Sequence, residues 1–174
     1  MSTTPLTPRP SQLDRSAFVA SFGDIYEHSP WVAELAWEAG LGDAQDSPAG
    51  LAAAMGEVLR SASAERQLEV IRAHPDLAGK AALAGKLTDD STREQAGAGL
   101  DQCSPDELAR FERLNAAYKA KFGFPFVMAV KGNDRHDILA AFETRLDNNP
   151  AEERRTAVEQ INRIALLRLE GRVG

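Results

Sequence analysis

The sequence predicts an all-α protein: a single-domain bundle of about eight helices, with one buried extended segment near residues 124–130. Three observations carry that reading. Ala, Leu, Glu and Arg are abundant and aromatic residues make up only 6% of the chain, the composition of good helix formers. Apolar residues recur at steps of three and four, as in Leu108, Phe111, Leu114, Tyr118 and Phe122, which is the helical period. Ser or Asn stands directly before Pro at Ser29-Pro30, Ser47-Pro48, Ser104-Pro105 and Asn149-Pro150. Each pair joins an N-cap side chain to the residue best tolerated in a first helical turn.

Taken in order, residues 1–12 read as a loose tail and residues 13–174 as the single all-α domain. Phe18, Val19, Phe22 and Ile25 share a helical face that Gly23 interrupts. Trp31 to Ala39 forms a second helix with Trp31 and Leu35 in its apolar stripe, closed by Gly40. A third follows Pro48, with Leu51, Ala54, Met55, Val58 and Leu59 on one face. Ser63 caps a fourth, and Pro75 ends it, because proline drives the preceding residue out of the α region. His74 therefore sits at or just beyond a helix end. A short helix over Leu77 to Leu83 and a loop marked by Gly85, Asp89 and Asp90 come next.

Ser104-Pro105-Asp106-Glu107 is the clearest helix start, with a Glu three residues after the cap. Gly123 stops that helix. Phe124 to Val130 is short, apolar and bounded by Gly123 and Gly132. One such segment cannot make a sheet, so it is expected to thread the core, with backbone amides in need of partners. Arg135 to Leu146 and a last helix from Pro150 to about Leu169 complete the chain.

A net charge of −6 argues against a nucleic-acid footprint. The apolar runs are too short to span a bilayer. Cys103 is the one cysteine, so no internal disulfide and no cysteine metal site is expected, and a cytoplasmic location fits.

Of three histidines, His28 and His136 lie in polar surroundings and read as solvated surface residues. His74 is set apart by Pro75, as either a helix-terminal imidazole bonded to free carbonyls or an acid–base group. Ser91-Thr92-Arg93-Glu94-Gln95 reads two ways as well. Ser91 and Glu94 form a capping-box pattern, while a helix N-terminus, a carboxylate and an amide side by side suit a ureide ligand. Phe122-Gly123-Phe124-Pro125-Phe126 reads as core. Arg145 reads as a surface residue paired with Glu143 or Asp147, unless it is buried, when its planar fork would suit a carboxylate.

These stretches occur together and in order: His74-Pro75-Asp76-Leu77-Ala78-Gly79-Lys80, Ser91-x-x-Glu94-Gln95, and Leu114-Asn115-x-x-Tyr118-x-x-Lys121-Phe122-Gly123-Phe124-Pro125-Phe126-Val127. Arg145-Leu146 and Ile164-Ala165-x-x-Arg168-Leu169 follow. Over about Phe18 to Leu169 the chain resembles the 2-oxo-4-hydroxy-4-carboxy-5-ureidoimidazoline (OHCU) decarboxylases of urate breakdown. The resemblance implies an all-α homodimer that uses no metal or organic cofactor and converts OHCU to (S)-allantoin with release of CO2. It implies that His74 is the catalytic acid/base, with Glu94 beside it. It also implies substrate contacts from Pro75, Ser91, Glu94 and Gln95, from the backbone of Phe126, Val127, Met128, Ala129 and Val130, and from Arg145. Neither a nucleic acid nor a membrane is an expected partner. Two other classes compete: a hydrolase of ureides or amides, and a helical interaction module without catalysis.

Overall fold

The structure, a computed structural model, describes residues 4–173. Helices occupy the intervals that the caps and periodicity mark out: α1 (Arg15–Phe22), α2 (Trp31–Glu38), α3 (Pro48–Ser61), α4 (Ala64–Arg72), α5 (Lys80–Leu83), α6 (Asp89–Gly97), α7 (Pro105–Phe122), α8 (Arg135–Arg145) and α9 (Pro150–Glu170). Eight of them are two turns or longer, and α5 is a single turn. Among the described residues the only β pairing is an isolated bridge between Leu6 and Val173. No described helix is long and apolar enough to cross a membrane.

The chain divides into two compact units, one of Met1–Ala73 with Ile161–Gly174 and one of His74–Gln160. In the first, Phe18, Phe22, Leu51, Met55, Leu59, Val70 and Ile71 are buried. Asn162 ties this core together, accepting from the Tyr26 hydroxyl at 2.7 Å and donating to the Gly56 carbonyl at 3.4 Å. The approach is close: a Cβ on Gly56 would stand 3.2 Å from the Asn162 amide nitrogen and would push that side chain back by a few tenths of an ångström.

The loose tail expected over residues 1–12 is not found in residues 4–12; residues 1–3 lie outside the described residues. Leu6 is buried, its amide donates to the Asp46 carbonyl at 2.7 Å, and the amide of Thr7 donates to that of Arg172 at 3.0 Å. One buried leucine and two backbone bonds anchor the strap. The inward face of α2 also differs from expectation. Val32, Ala33 and Ala36 are buried while Leu35 is exposed, so small side chains, not the larger leucine, make the contact.

The second unit is built on aromatic rings. Phe126 stacks on Phe142 with centroids 3.9 Å apart and planes at 11°. Tyr118 meets Phe126 edge-on at 5.4 Å and Phe142 at 5.9 Å. Both are favourable aromatic geometries. The long α7 supplies Phe111, Tyr118 and Phe122 to this cluster. Its start carries the predicted capping box between Ser104 and Glu107, and its end the predicted Gly123, at φ +78°. The segment after Gly123 is irregular and buried at Phe124, Phe126, Val127, Ala129 and Val130.

Candidate functional site

His74 follows α4, whose last turn closes with the Ala73 amide donating to the Glu69 carbonyl at 3.0 Å. Its imidazole is buried, with 7% of the residue exposed, unlike the exposed His28 and His136. The next five residues make a tight loop. Ala78 adopts φ +52°, a left-handed conformation uncommon for a residue with a Cβ. A Cβ on the following Gly79 would stand 2.6 Å from the Asp76 Cβ, so only glycine fits. The helix expected from Leu77 accordingly starts at Lys80.

Three side chains hold this loop. The Gln95 carbonyl oxygen accepts from the Ala78 amide at 3.0 Å, and its Nε2 donates to the Asp76 carbonyl at 3.2 Å. Asn115 Nδ2 donates to the Leu77 carbonyl at 3.0 Å. Lys119 Nζ pairs with the Asp76 carboxylate at 2.6 Å. Thus α6 and α7 grip three consecutive residues immediately after His74-Pro75.

Gln95 reaches the loop from α6, which starts earlier than expected. Asp89 and Asp90 belong to its first turn, where carboxylates suit the positive end of the helix dipole. The cap is Thr88, whose hydroxyl accepts from the Ser91 amide at 3.3 Å. Ser91 is therefore not the capping residue; it lies inside the helix, buried, one turn before the buried Gln95. Glu94 beside them is half-buried.

Arg145 ends α8, with 11% of its side chain exposed. It does not pair with Glu143 or Asp147. Glu143 pairs with Arg110, and Arg145 Nε donates to Glu153 Oε1 at 2.7 Å. Arg145 Nη1 donates to the Val127 carbonyl at 2.7 Å, and the guanidinium lies 4.3 Å above the Phe126 ring. The fully buried Glu153 also accepts from the Tyr118 hydroxyl and from Asn148 Nδ2. Burial, and then the bond to Glu153, push the Tyr118 phenol well above its ordinary range. At the other end of the segment, the Ala129 amide donates to Gln160 Oε1 at 2.9 Å.

The expected residues thus form two clusters within the second unit. Gln95, one turn after Ser91 and next to Glu94, bonds to the loop that follows His74 and Pro75. Phe126 to Val130 come together with Arg145. Helix α7 serves both, through Asn115 and Lys119 on the loop and Tyr118 on the aromatic cluster. A groove of about 710 Å³ runs along α7, lined by Asp76, Ala78, Gly79, Asn115 and Lys119 among others; His74, Glu94 and Arg145 are not in its lining. The sequence marks Tyr118 as part of an apolar helical stripe and Asn115 as a motif position without a task, and assigns nothing to Lys119, Glu153 or Gln160. Asn115 and Lys119 are one helical turn apart, a spacing that puts them on one face, but the Leu77 carbonyl and the Asp76 carboxylate they bond lie 38 and 43 residues away in sequence, where no spacing reveals them. Among the described residues no group of three or more His, Cys, Asp or Glu side chains is placed to hold a metal ion.

A protein-family model described as OHCU decarboxylase matches residues 11–170. A 2-oxo-4-hydroxy-4-carboxy-5-ureidoimidazoline decarboxylase from Halalkalicoccus jeotgali is 44% identical over 92% of this chain and 87% of its own. A protein of the same name from Haloferax volcanii is 45% identical over 93% and 92%. The crystal structure of an (S)-allantoin synthase superposes with a TM-score of 0.71 at 32% identity, covering 94% of this chain and 52% of that one, so the chain spans about half of that synthase. A crystal structure of an OHCU decarboxylase in the presence of (S)-allantoin, at 22% identity and a TM-score of 0.68, shares the fold. With residues 11–170 inside the matched range and the Halalkalicoccus jeotgali and Haloferax volcanii relatives covered over 87% and 92% of their own length, this protein belongs to the OHCU decarboxylase family.

Proposed function

We propose that His74 is the acid/base of a cofactor-independent decarboxylation of OHCU to (S)-allantoin. Membership of the family makes the chain a carboxy-lyase of urate breakdown; the roles of its residues are the proposal. OHCU carries its carboxylate on a carbon next to a ring C=N. As the bond to CO2 breaks, its electron pair moves into that C=N, so the ring is its own electron sink. The former C=N carbon must then take up one proton on one face, giving a single enantiomer, while the hydroxyl on the carbon that lost CO2 gives up its proton and becomes the ring carbonyl.

The protein has to hold the ring, keep water away and control that proton. Glu94, Gln95 and Ser91, with Pro75 and the backbone of Phe126 to Val130, hold the ureide and ring polar groups. His74, polarised by Glu94, delivers the proton, a role worth on the order of 10²–10⁴-fold in other enzymes. Arg145 serves the same site. The observation that supports this reading is the pair of Gln95 bonds to Ala78 and Asp76, which sets the histidine-bearing loop against the Ser91–Gln95 face across 17 and 19 residues of sequence. The resemblance also supports a homodimer in the cytoplasm.

The test is to generate OHCU from urate in situ and follow its ultraviolet decay with and without the protein. Faster decay with CO2 as the first product and (S)-allantoin as the second supports the proposal. Release of ammonia first would favour a ureide hydrolase, and unchanged decay an interaction module.

A further inference from the structure

We infer that Arg145 is a positioning residue that shapes the 126–130 backbone through the Val127 carbonyl, with Gln160 acting likewise at Ala129, and that its guanidinium does not hold the substrate carboxylate. The inference rests on the proposal that this backbone meets the substrate.

A guanidinium has one N–H on Nε and two on each terminal nitrogen. Nε is committed to Glu153 at 2.7 Å and Nη1 to the Val127 carbonyl at 2.7 Å. One face lies on Phe126, itself stacked on Phe142. Nη2 has no hydrogen-bond partner, but it is sealed inside the protein. A substrate oxygen could reach it only by opening the packing that buries it. A bidentate grip on a carboxylate needs two accessible N–H groups on one edge, and this side chain has no such edge to offer.

Charge points the same way. Glu153 is fully buried, and Arg145 lies against it at 2.7 Å, so the arginine is already balanced. A buried carboxylate deprived of its cation is strongly unfavourable, so Glu153 keeps the guanidinium turned toward it. The arrangement also suits the reaction. A cation locked onto the departing carboxylate would stabilise the ground state more than the charge-dispersed transition state. A cation spent on Glu153 and a backbone carbonyl avoids that.

What Arg145 does control is the course of the chain. Val127 O is tied to α8 by Arg145, and Ala129 N is tied to α9 by Gln160. These two bonds fix the peptide groups between them, the ones proposed to face the substrate.

The substrate carries a carboxylate and the product (S)-allantoin does not, so the two separate positioning from gripping. Arg145→Lys and Gln160→Leu are compared with wild type by KM for OHCU and by the inhibition constant of (S)-allantoin, after circular dichroism has shown each to be folded. Positioning predicts that both constants rise together in both variants, by about tenfold or more, the scale of a small misplacement of binding groups. A rise in KM for Arg145→Lys with the allantoin constant unchanged would show that the guanidinium grips the carboxylate and would overturn the inference. So would a folded Arg145→Lys with both constants unchanged. Should Arg145→Lys not fold, Gln160→Leu decides: a parallel rise supports positioning and no change refutes it. A wild-type protein that does not accelerate OHCU decay would instead remove the functional reading itself.

Discussion

The side-chain oxygen of Gln95 accepts the backbone N–H of Ala78 at 3.0 Å, the one residue of the loop after His74 with a left-handed backbone. Both ends of this buried amide bond to loop backbone, since Nε2 also reaches the Asp76 carbonyl. Gln95→Leu therefore leaves two backbone groups without partners. At about 1–3 kcal/mol for each buried group left unsatisfied, urea unfolding should show a loss of about 2–4 kcal/mol. The wild-type midpoint in this variant would mean that water replaces the amide at no cost.

His74→Ala should reduce the rate of OHCU decay by at least about 10²-fold, the lower end of the range for a positioned acid/base. Because the imidazole is buried, the variant should also lose about 1–2 kcal/mol of stability. Its helical circular dichroism should remain. A folded variant with most of the wild-type rate would end the assignment.

The capping of α6 gives a clean contrast. Thr88→Ala should cost about 1 kcal/mol, the usual worth of an N-cap hydroxyl. Ser91→Ala removes no cap, so its effect should fall on substrate binding, read as KM. If Ser91→Ala destabilises as a lost cap does and Thr88→Ala is silent, the helix begins at Ser91 after all.

Stability toward acid depends in part on Glu107. Hydrogen bonding from the Ser104 amide, and next from Arg135, holds its carboxyl below the ordinary value of 4.5. A carboxyl lowered in the folded state adds stability that is complete above the unfolded value and lost as pH falls through the folded one. Glu107→Gln should therefore flatten the fall in melting temperature below about pH 4.5, measured against wild type in the same buffers. Parallel curves would show that the contribution is absent.

Tyr118 supplies the alkaline counterpart. Its raised phenol favours folding below the unfolded value of 10.0 and loses that advantage as pH climbs above it. Tyr118→Phe should cost about 1–3 kcal/mol at neutral pH, since the buried Glu153 loses a donor. Above pH 10 the gap between variant and wild type should narrow. A gap that stays constant from neutral to strongly alkaline pH would contradict the assigned protonated state.

Much of the architecture was legible because it is written in local signals. Caps at Ser47, Ser63 and Ser104 and the stop at Gly123 are short-range chemistry, and the helices begin and end there. The errors also have local causes. Ser91-x-x-Glu94 imitates a capping box, but Thr88 stands three residues earlier and takes the cap. Leu35 fits a helical stripe, yet period alone cannot say which of two apolar faces is turned inward. The site was half legible. His74 stood out because Pro75 breaks the helix beside it. Arg145 was read with its sequence neighbours, whereas its partners are Glu153 and a carbonyl 18 residues upstream. Gln160 and Asn115 bond to backbone, and a bond to backbone leaves no mark in the identity of the residue it holds.

The division of the chain has a consequence for how the protein is born. The unit His74–Gln160 is one uninterrupted stretch, whereas its counterpart needs both Met1–Ala73 and Ile161–Gly174. On the ribosome the continuous unit has all its residues in hand first. The N-terminal helices, although made earliest, must wait for the last translated turns of α9 before Asn162 can reach Tyr26. A chain that has not yet reached Ile161 therefore leaves the helices before Ala73 without the segment that completes their unit, open to proteases and chaperones.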